Sequence, residues 1–362
     1  MKNLVGIFFL IALASGCSSV SKKNDSTESA VTRFKARLDS LRIAAQIPGL
    51  SVVILLDTTV VHAGGLGFSD LEHKVPATAD TPYNIASVTK PISAVVALRL
   101  VESGTLDLDL PMSSWEEFDE FCKDAREAGG IFFDDYTCAD STLTLRNVMG
   151  MTANGEAPGR RFFYNPISYS WASRPMMQAT GQPFSTLVDS LVFRPAGMTR
   201  SARKHRKLPL RDDLAEALAR PYHLDSTGTV VPSEPPGPQG DGAAGGVIST
   251  ARDLARFDVA LSTGRLLTEA SKQEMWTPQQ SPSGETLPYG IGWFVQTYAG
   301  ETLLWHTGLW EGAYSALYLK VPARKLTLIL LANSDGLWWD NPLDKAQVEK
   351  CPFAVAFLEA FK

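Results

Sequence analysis

Ser87-Val88-Thr89-Lys90 sets a hydroxyl and an amine three residues apart at the point where a buried helix is expected to begin. Residues three apart on a helix share a face, with β-carbons roughly 5–6 Å apart, so the Lys90 amine can take the Ser87 proton and free the oxygen to attack a carbonyl. The same spacing recurs at Ser19 to Lys22, in a polar stretch, and at Ser201 to Lys204, among basic residues ahead of Pro209; neither leads into an apolar helix. After Ser87 the chain runs Pro91-Ile92-Ser93-Ala94-Val95-Val96-Ala97-Leu98-Arg99-Leu100-Val101 toward Gly104, the pattern of a largely buried helix. Pro91 has no N–H, which only the first four helical positions tolerate, so the helix is predicted to start near Ser87 or Val88. Backbone N–H groups and the helix dipole at such a terminus favour developing negative charge. These residues alone leave two roles open for Ser87, a nucleophile or an ordinary N-cap.

Positioning that pair falls to the rest of a 362-residue chain whose composition, 44% hydrophobic, suffices for one large domain or two interleaved ones. A net charge of -5 without a long Lys/Arg run argues against a nucleic-acid partner. Phe34, Leu38, Leu41 and Ala45 give residues 31–46 helical spacing, and residues 49–57 and 59–67 pattern as two strands about Asp57-Thr58. From about 91 to 270 the chain is mostly helix and loop, with apolar periodic segments at 176–180, 184–192 and 253–261 and no convincing sheet. Strand patterns return at 290–298, 302–305, 313–320 and 326–331, before a final helix over about 343–361. Strands, then helices, then strands predict an α/β (α+β) fold: an antiparallel sheet built from both chain ends, flanked by helices, with a mostly helical insert. The Ser87 helix falls at the junction, where clefts between subdomains form.

Met1-Lys2-Asn3, the apolar run from Leu4 to Ala14 and Ser15-Gly16-Cys17 fit a secretory signal and are too short to span a bilayer stably. The ending in small residues plus cysteine resembles a bacterial lipoprotein lipobox, which implies cleavage before Cys17, lipidation of Cys17 and a lipid-anchored envelope location, periplasmic or surface-exposed; the alternative is an ordinary signal peptide. Residues 18–30 then serve as a flexible polar linker, and 31–362 as the domain. In such a compartment Cys122 and Cys138 are the expected disulfide, stabilising by about 3 kcal/mol, with Cys351 left free. No Cys/His pattern has zinc-site spacing. Gly240-Asp241-Gly242-Ala243-Ala244-Gly245 matches a dinucleotide-loop string, but no strand precedes it and no βαβ unit surrounds it, so a nucleotide site is rejected. Gly245 and Gly246 instead suit a tight turn before Thr250, whose spacing to Asp253 is that of a capping box. The histidines at 62, 73, 205, 223 and 306 bring no motif support for a Ser-His-Asp triad.

Three strings, Ser87-x-x-Lys90, the segment 158–165 ending in Tyr164-Asn165, and Trp305-His306-Thr307-Gly308, occur in the order and spacing of the serine β-lactamases and penicillin-binding proteins. From about residue 31 onward the chain resembles the branch that contains class C β-lactamases, DD-peptidases and related esterases. The resemblance implies Ser87 as the acylated nucleophile, Lys90 as its activating amine and Tyr164 as the phenol that relays protons to the leaving group. It implies an oxyanion hole from the backbone N–H groups of Ser87 and Leu309, with His306, Thr307, Gly308 and Asn165 at the substrate and Gly308 letting substrate approach the strand.

Two departures narrow that expectation. The family's Tyr-x-Asn becomes Tyr164-Asn165-Pro166, which moves the amide by one residue, and the Lys that opens the third motif becomes His306, a weaker carboxylate anchor at neutral pH. Trp310, with Trp293 and Tyr314, suggests an aromatic acyl pocket, against the alternative that the latter two pack the sheet. The expected function is that of a serine hydrolase acting through a Ser87 acyl-enzyme on an ester, amide or D-amino acid peptide, needing no metal or organic cofactor. The alternatives are a penicillin- or peptidoglycan-binding or sensor protein that acylates with little turnover, and a class C-like β-lactamase. The expected partner is a small-molecule or peptide acyl substrate; oligomeric state is undetermined.

Overall fold

Two strand patterns at one end of the chain and four at the other meet in one sheet, in which the most apolar segments, residues 49–56, 314–321 and 326–332, are buried along almost their whole length. The computed structural model describes residues 15–138, 140–237 and 239–362, with side chains from Thr27 onward. The strands are β1 (Gly49–Leu56), β2 (Thr59–Asp70), β3 (Val75–Pro76), β4 (Tyr83–Asn84), β5 (Ala202–Arg203), β6 (Tyr222–Leu224), β7 (Val230–Pro232), β8 (Val247–Ser249), β9 (Phe294–Tyr298), β10 (Glu301–Trp310), β11 (Tyr314–Val321) and β12 (Leu326–Ala332). The helices are α1 (Ser15–Ala44), α2 (Thr89–Glu102), α3 (Phe118–Ala128), α4 (Leu145–Met149), α5 (Pro166–Trp171), α6 (Ser173–Thr180), α7 (Phe184–Val188), α8 (Arg194–Ala196), α9 (Asp212–Ala217), α10 (Ala251–Ser262), α11 (Glu269–Trp276) and α12 (Pro352–Ala360).

The main sheet has the order β3-β2-β1-β12-β11-β10-β9, so the N-terminal hairpin lies beside the C-terminal strands. β1 runs antiparallel to β12, with Val53 opposite Ile329, and every residue of β11 and β12 is buried. Strands apolar on both faces require cover on both, which the helices provide. Helices α1 and α12 pack together through Phe34 and Phe357, and α10 lies against β1 and β12.

The fold class matches the sequence pattern, with differences in the details. The insert carries short strands: β4, β8 and β5 form one small sheet, and β6 with β7 another. Strands of two or three residues are too short to show the alternating pattern that marks a strand in sequence, and the partners β4, β5 and β8 are distant from one another. The final helix begins only at Pro352, and β9 only at Phe294. Helix α1 runs through the polar residues 18–30 assigned to a linker. Residues 1–14 and the Cys17 side chain, on which the lipid-anchor expectation rests, lie outside the described residues. Cys122 and Cys138, expected as a disulfide, do come together but are free thiols, each sulfur donating to the other residue's carbonyl at 3.0 and 3.7 Å.

One buried polar cluster ties α10 to the sheet. The Asp258 carboxylate accepts from the Tyr318 hydroxyl at 2.5 Å, from the Lys320 ammonium and from the Thr327 hydroxyl at 3.3 Å. Deleting the carboxylate strands a buried ammonium, so Asp258→Ala is expected to lower stability by about 3–5 kcal/mol in urea unfolding. A loss below about 1 kcal/mol would mean that the cluster does not anchor the helix.

Candidate active site

Ser87 is placed by a short, pinned segment rather than by helix propensity. Strand β4 pairs with β8, and beyond it the Ile85 N–H donates to the Val247 carbonyl at 3.1 Å. The Ala86 N–H donates to Asn84 Oδ1 at 2.9 Å, and Ala86 takes a left-handed backbone with φ of +45°. That conformation costs a non-glycine residue on the order of 1 kcal/mol and persists here because both flanks are fixed. One 3-10 turn, Ala86–Val88, then leads into α2, whose first three residues are Thr89, Lys90 and Pro91. The proline therefore sits within the first turn, as its missing N–H requires. No side-chain cap bond forms at either helix start, so Ser87 is not an N-cap.

Lys90 is fully buried, and its Nζ donates to Ser87 Oγ at 2.8 Å and to the Ala244 carbonyl at 3.2 Å. Burial holds the amine well below the ordinary lysine value. Tyr164, half-buried beside them, lies near Ser87, and the Lys90 amine lies 5.0 Å from its ring centre. Burial raises the Tyr164 phenol, and the proximity of Ser87 opposes this only in part. Desolvation thus acts oppositely on the two: it favours the protonated phenol and the neutral amine. Lys90 is the group able to accept the Ser87 proton at neutral pH, and Tyr164 the one able to hand a proton on.

Strand β10 supplies the facing wall. It pairs with β9 only from Glu301 to Trp305, leaving the edge from His306 to Trp310 open. The turn bond from the Ala313 N–H to the Trp310 carbonyl sets Trp310, Gly308 and His306 as the residues bonded to β11. The Leu309 N–H therefore faces the open edge, and Leu309 lines a cleft of ≈ 660 Å³ together with Ala86 and Ser87. This parity supports Leu309 as an oxyanion donor.

Several expected substrate contacts are engaged elsewhere. His306 is fully buried: its Nδ1 donates to the Thr307 carbonyl at 2.7 Å, leaving Nε2 to accept from the Tyr289 hydroxyl at 2.9 Å. Burial and the neighbouring Lys90 push it well below the usual histidine range, so it is a neutral support for the strand and not a carboxylate anchor. The Thr307 hydroxyl donates to the Ala316 carbonyl at 3.0 Å. A β-carbon on Gly308 would lie 2.3 Å from the Ile85 carbonyl, so the glycine makes room for the Ser87 segment rather than for substrate. Asn165 is the N-cap of α5: its Oδ1 accepts from the Ser168 N–H at 2.9 Å, and its Nδ2 donates to the Phe132 carbonyl at 2.8 Å and to Asn154 at 3.0 Å. An Asn followed by Pro at the first helical position is a capping signature visible in the sequence. Trp293 and Tyr314 are fully buried sheet packing, whereas Trp310 lines the cleft.

Residues that sequence reasoning missed come from distant segments. The loop offering the Ala244 carbonyl to Lys90 is held by buried Arg203, which pairs with Asp241 at 3.1 Å and donates to the Gly242 carbonyl at 2.9 Å and to Gly245. Nothing local in the sequence marks these contacts.

The family profile described as Beta-lactamase matches residues 31–350. The chain belongs to the β-lactamase family. Penicillin-binding protein 4* of Bacillus subtilis (strain 168) is 26% identical over 303 residues, covering 76% of this chain and 66% of the relative, so the chain spans just under two thirds of that protein's length. Among solved structures, the D-amino acid amidase from Ochrobactrum anthropi SV3 superposes with a TM-score of 0.70 at 22% identity, covering 91% of this chain and 98% of that one. EstCE1, a hydrolase with promiscuous acyltransferase activity, gives 0.69 at 18% identity over the same shares. At these identities the superpositions show the shared fold.

Two expectations follow for this β-lactamase-family site. Lys90→Arg replaces the amine with a permanent cation that cannot accept a proton and is expected to slow acylation by about 10²–10⁴-fold; in the wild type the acylation rate should rise with pH as the amine deprotonates, with a midpoint below the ordinary lysine value of ~10.4. Stopped-flow release of the leaving group across pH measures both, and an unaffected Lys90→Arg variant would remove Lys90 as the base. Gly308→Ala should push β10 from the Ile85 carbonyl, lowering stability by about 1–3 kcal/mol and slowing acylation; wild-type values for both would show that the close approach is dispensable.

Proposed function

We propose that this protein is a serine hydrolase that cleaves an ester, amide or D-amino acid peptide through an acyl-enzyme on Ser87. The observation that carries the proposal is the buried Lys90 amine at 2.8 Å from Ser87 Oγ, with burial lowering it well below the ordinary lysine value. Ser87 Oγ bonds to the substrate carbonyl carbon while its proton passes to Lys90, and the oxyanion rests on the N–H groups of Ser87 and Leu309. The carbonyl re-forms, the bond to the leaving oxygen or nitrogen breaks, and Tyr164 relays the proton to it. Water then repeats the sequence on the acyl-enzyme and releases the acid.

A second reading, acylation with little turnover, draws on Asn165 and Pro166. The Asn165 amide is spent on capping α5, and Pro166 lines the cleft in its place, so the motif brings no side-chain amide toward the acyl group. The same substitution weighs against efficient β-lactam hydrolysis. Tethering to the bacterial envelope through a lipid on Cys17 is part of the proposal on the residues 4–17 pattern alone.

Wild type and Ser87→Ala should be compared on short-chain p-nitrophenyl esters, D-Ala-D-Ala peptides and a chromogenic cephalosporin. The proposal expects ester or peptide hydrolysis with steady turnover, lowered at least 10²-fold by Ser87→Ala, and fluorophosphonate labelling at Ser87. A single burst of product followed by almost none would favour the second reading. Labelling of a different residue, or full activity in Ser87→Ala, would overturn both.

A further inference from the structure

The cleft at Ser87 does not end there. A second cavity of ≈ 760 Å³ adjoins it, and Arg174, Arg206, Gly240 and Asp241 line both. The two arginines therefore stand at the junction of the groove that the two make. Arg174 is half-buried with its guanidinium 5.2 Å from the Trp171 ring centre, an arrangement that orients it toward the groove without neutralising it. Arg206 is exposed, its backbone tied to the Gln239 carbonyl at 2.8 Å.

Charge around the groove is not balanced. Asp241 is engaged by Arg203 at 3.1 Å and by the Ser185 N–H at 2.8 Å, with His205 3.7 Å away, and Asp189 is paired with Arg194. Among the described residues Arg174, Arg206 and Lys207, which lines the second cavity, have no carboxylate partner. In a chain of net charge -5, three unpaired cations along one groove mark a place for an anion. Tyr164, assigned to the leaving group, lines neither cavity, which favours the groove as the place for the other half of the substrate.

We infer that Arg174 and Arg206 form a carboxylate subsite for the acyl half of the substrate, so that the enzyme prefers acyl chains ending in an acid several carbons from the scissile carbonyl. This rests on the serine hydrolase reading. Arginine's fork of donors suits a carboxylate, and Trp171 with Ile167 supplies apolar wall for the chain between.

The test uses mono-p-nitrophenyl adipate, its neutral methyl ester, and a hexanoate ester carrying its carboxylate on the leaving phenol. The expected result is a kcat/KM about tenfold higher for the adipate monoester than for the other two, shrinking in 0.5 M NaCl. Arg174→Gln and Arg206→Gln should each bring that ratio toward one. Ser87→Ala should bind monoethyl adipate more tightly than diethyl adipate by calorimetry. Equal binding of the two by Ser87→Ala overturns the subsite whatever the hydrolysis shows. Preferential binding without Ser87-dependent hydrolysis would uphold the subsite and overturn the hydrolase reading. A preference for the acid on the leaving phenol would overturn the assignment to the acyl half.

Discussion

The site depends on taking one amine out of water without giving it a counter-charge. Lys90 is fully buried, and its partners are a hydroxyl and a backbone carbonyl. A carboxylate at that position would hold the ammonium charged and useless as a base. Desolvation with neutral acceptors does the reverse, because an unpaired charge in a protein interior costs several kcal/mol and the group sheds its proton instead. His306 obeys the same constraint: burial and the neighbouring Lys90 push it well below the usual histidine range, against the opposing hydrogen bond to the Thr307 carbonyl, so it adds no charge beside the amine.

Everything around the amine serves to keep water out and the hydroxyl in place. The β4–β8 pairing brings the Ser87 turn beside the loop that carries the Ala244 carbonyl, and Arg203 holds that loop from beneath. Gly308 allows β10 to press against the Ile85 carbonyl, and the open edge beyond Trp305 then leaves the Leu309 N–H free to face the cleft. The left-handed Ala86 stores modest strain at this pinch and points the next residue into the cleft.

How much of this was legible in the sequence follows from range. Ser87, Lys90 and Pro91 lie within one helical turn, so spacing and the proline's missing donor place them together without any tertiary knowledge. The two-ended sheet was legible for a similar reason: β1, β2, β11 and β12 are long and apolar enough to declare themselves. Tyr164 and Leu309 needed the family resemblance, because a lone tyrosine and a backbone N–H carry no pattern. His306 and Gly308 were correctly located and wrongly employed. Their partners, Tyr289 and Ile85, are distant in sequence, and only the fold reveals that a buried strand contact, not a substrate, uses them. Asn165 differs, since Asn-Pro spells a helix start in the sequence itself and its amide caps α5 instead of meeting substrate.

The central claim is that Lys90 is a neutral amine at physiological pH. Reductive ¹³C-methylation followed by NMR, with Lys90→Met to assign the resonance, measures its titration directly. The structure predicts a Lys90 signal in the neutral position at pH 7, moving to the charged position only as pH falls. A Lys90 signal that stays charged at pH 7 and titrates with the surface lysines near pH ~10.4 would contradict it.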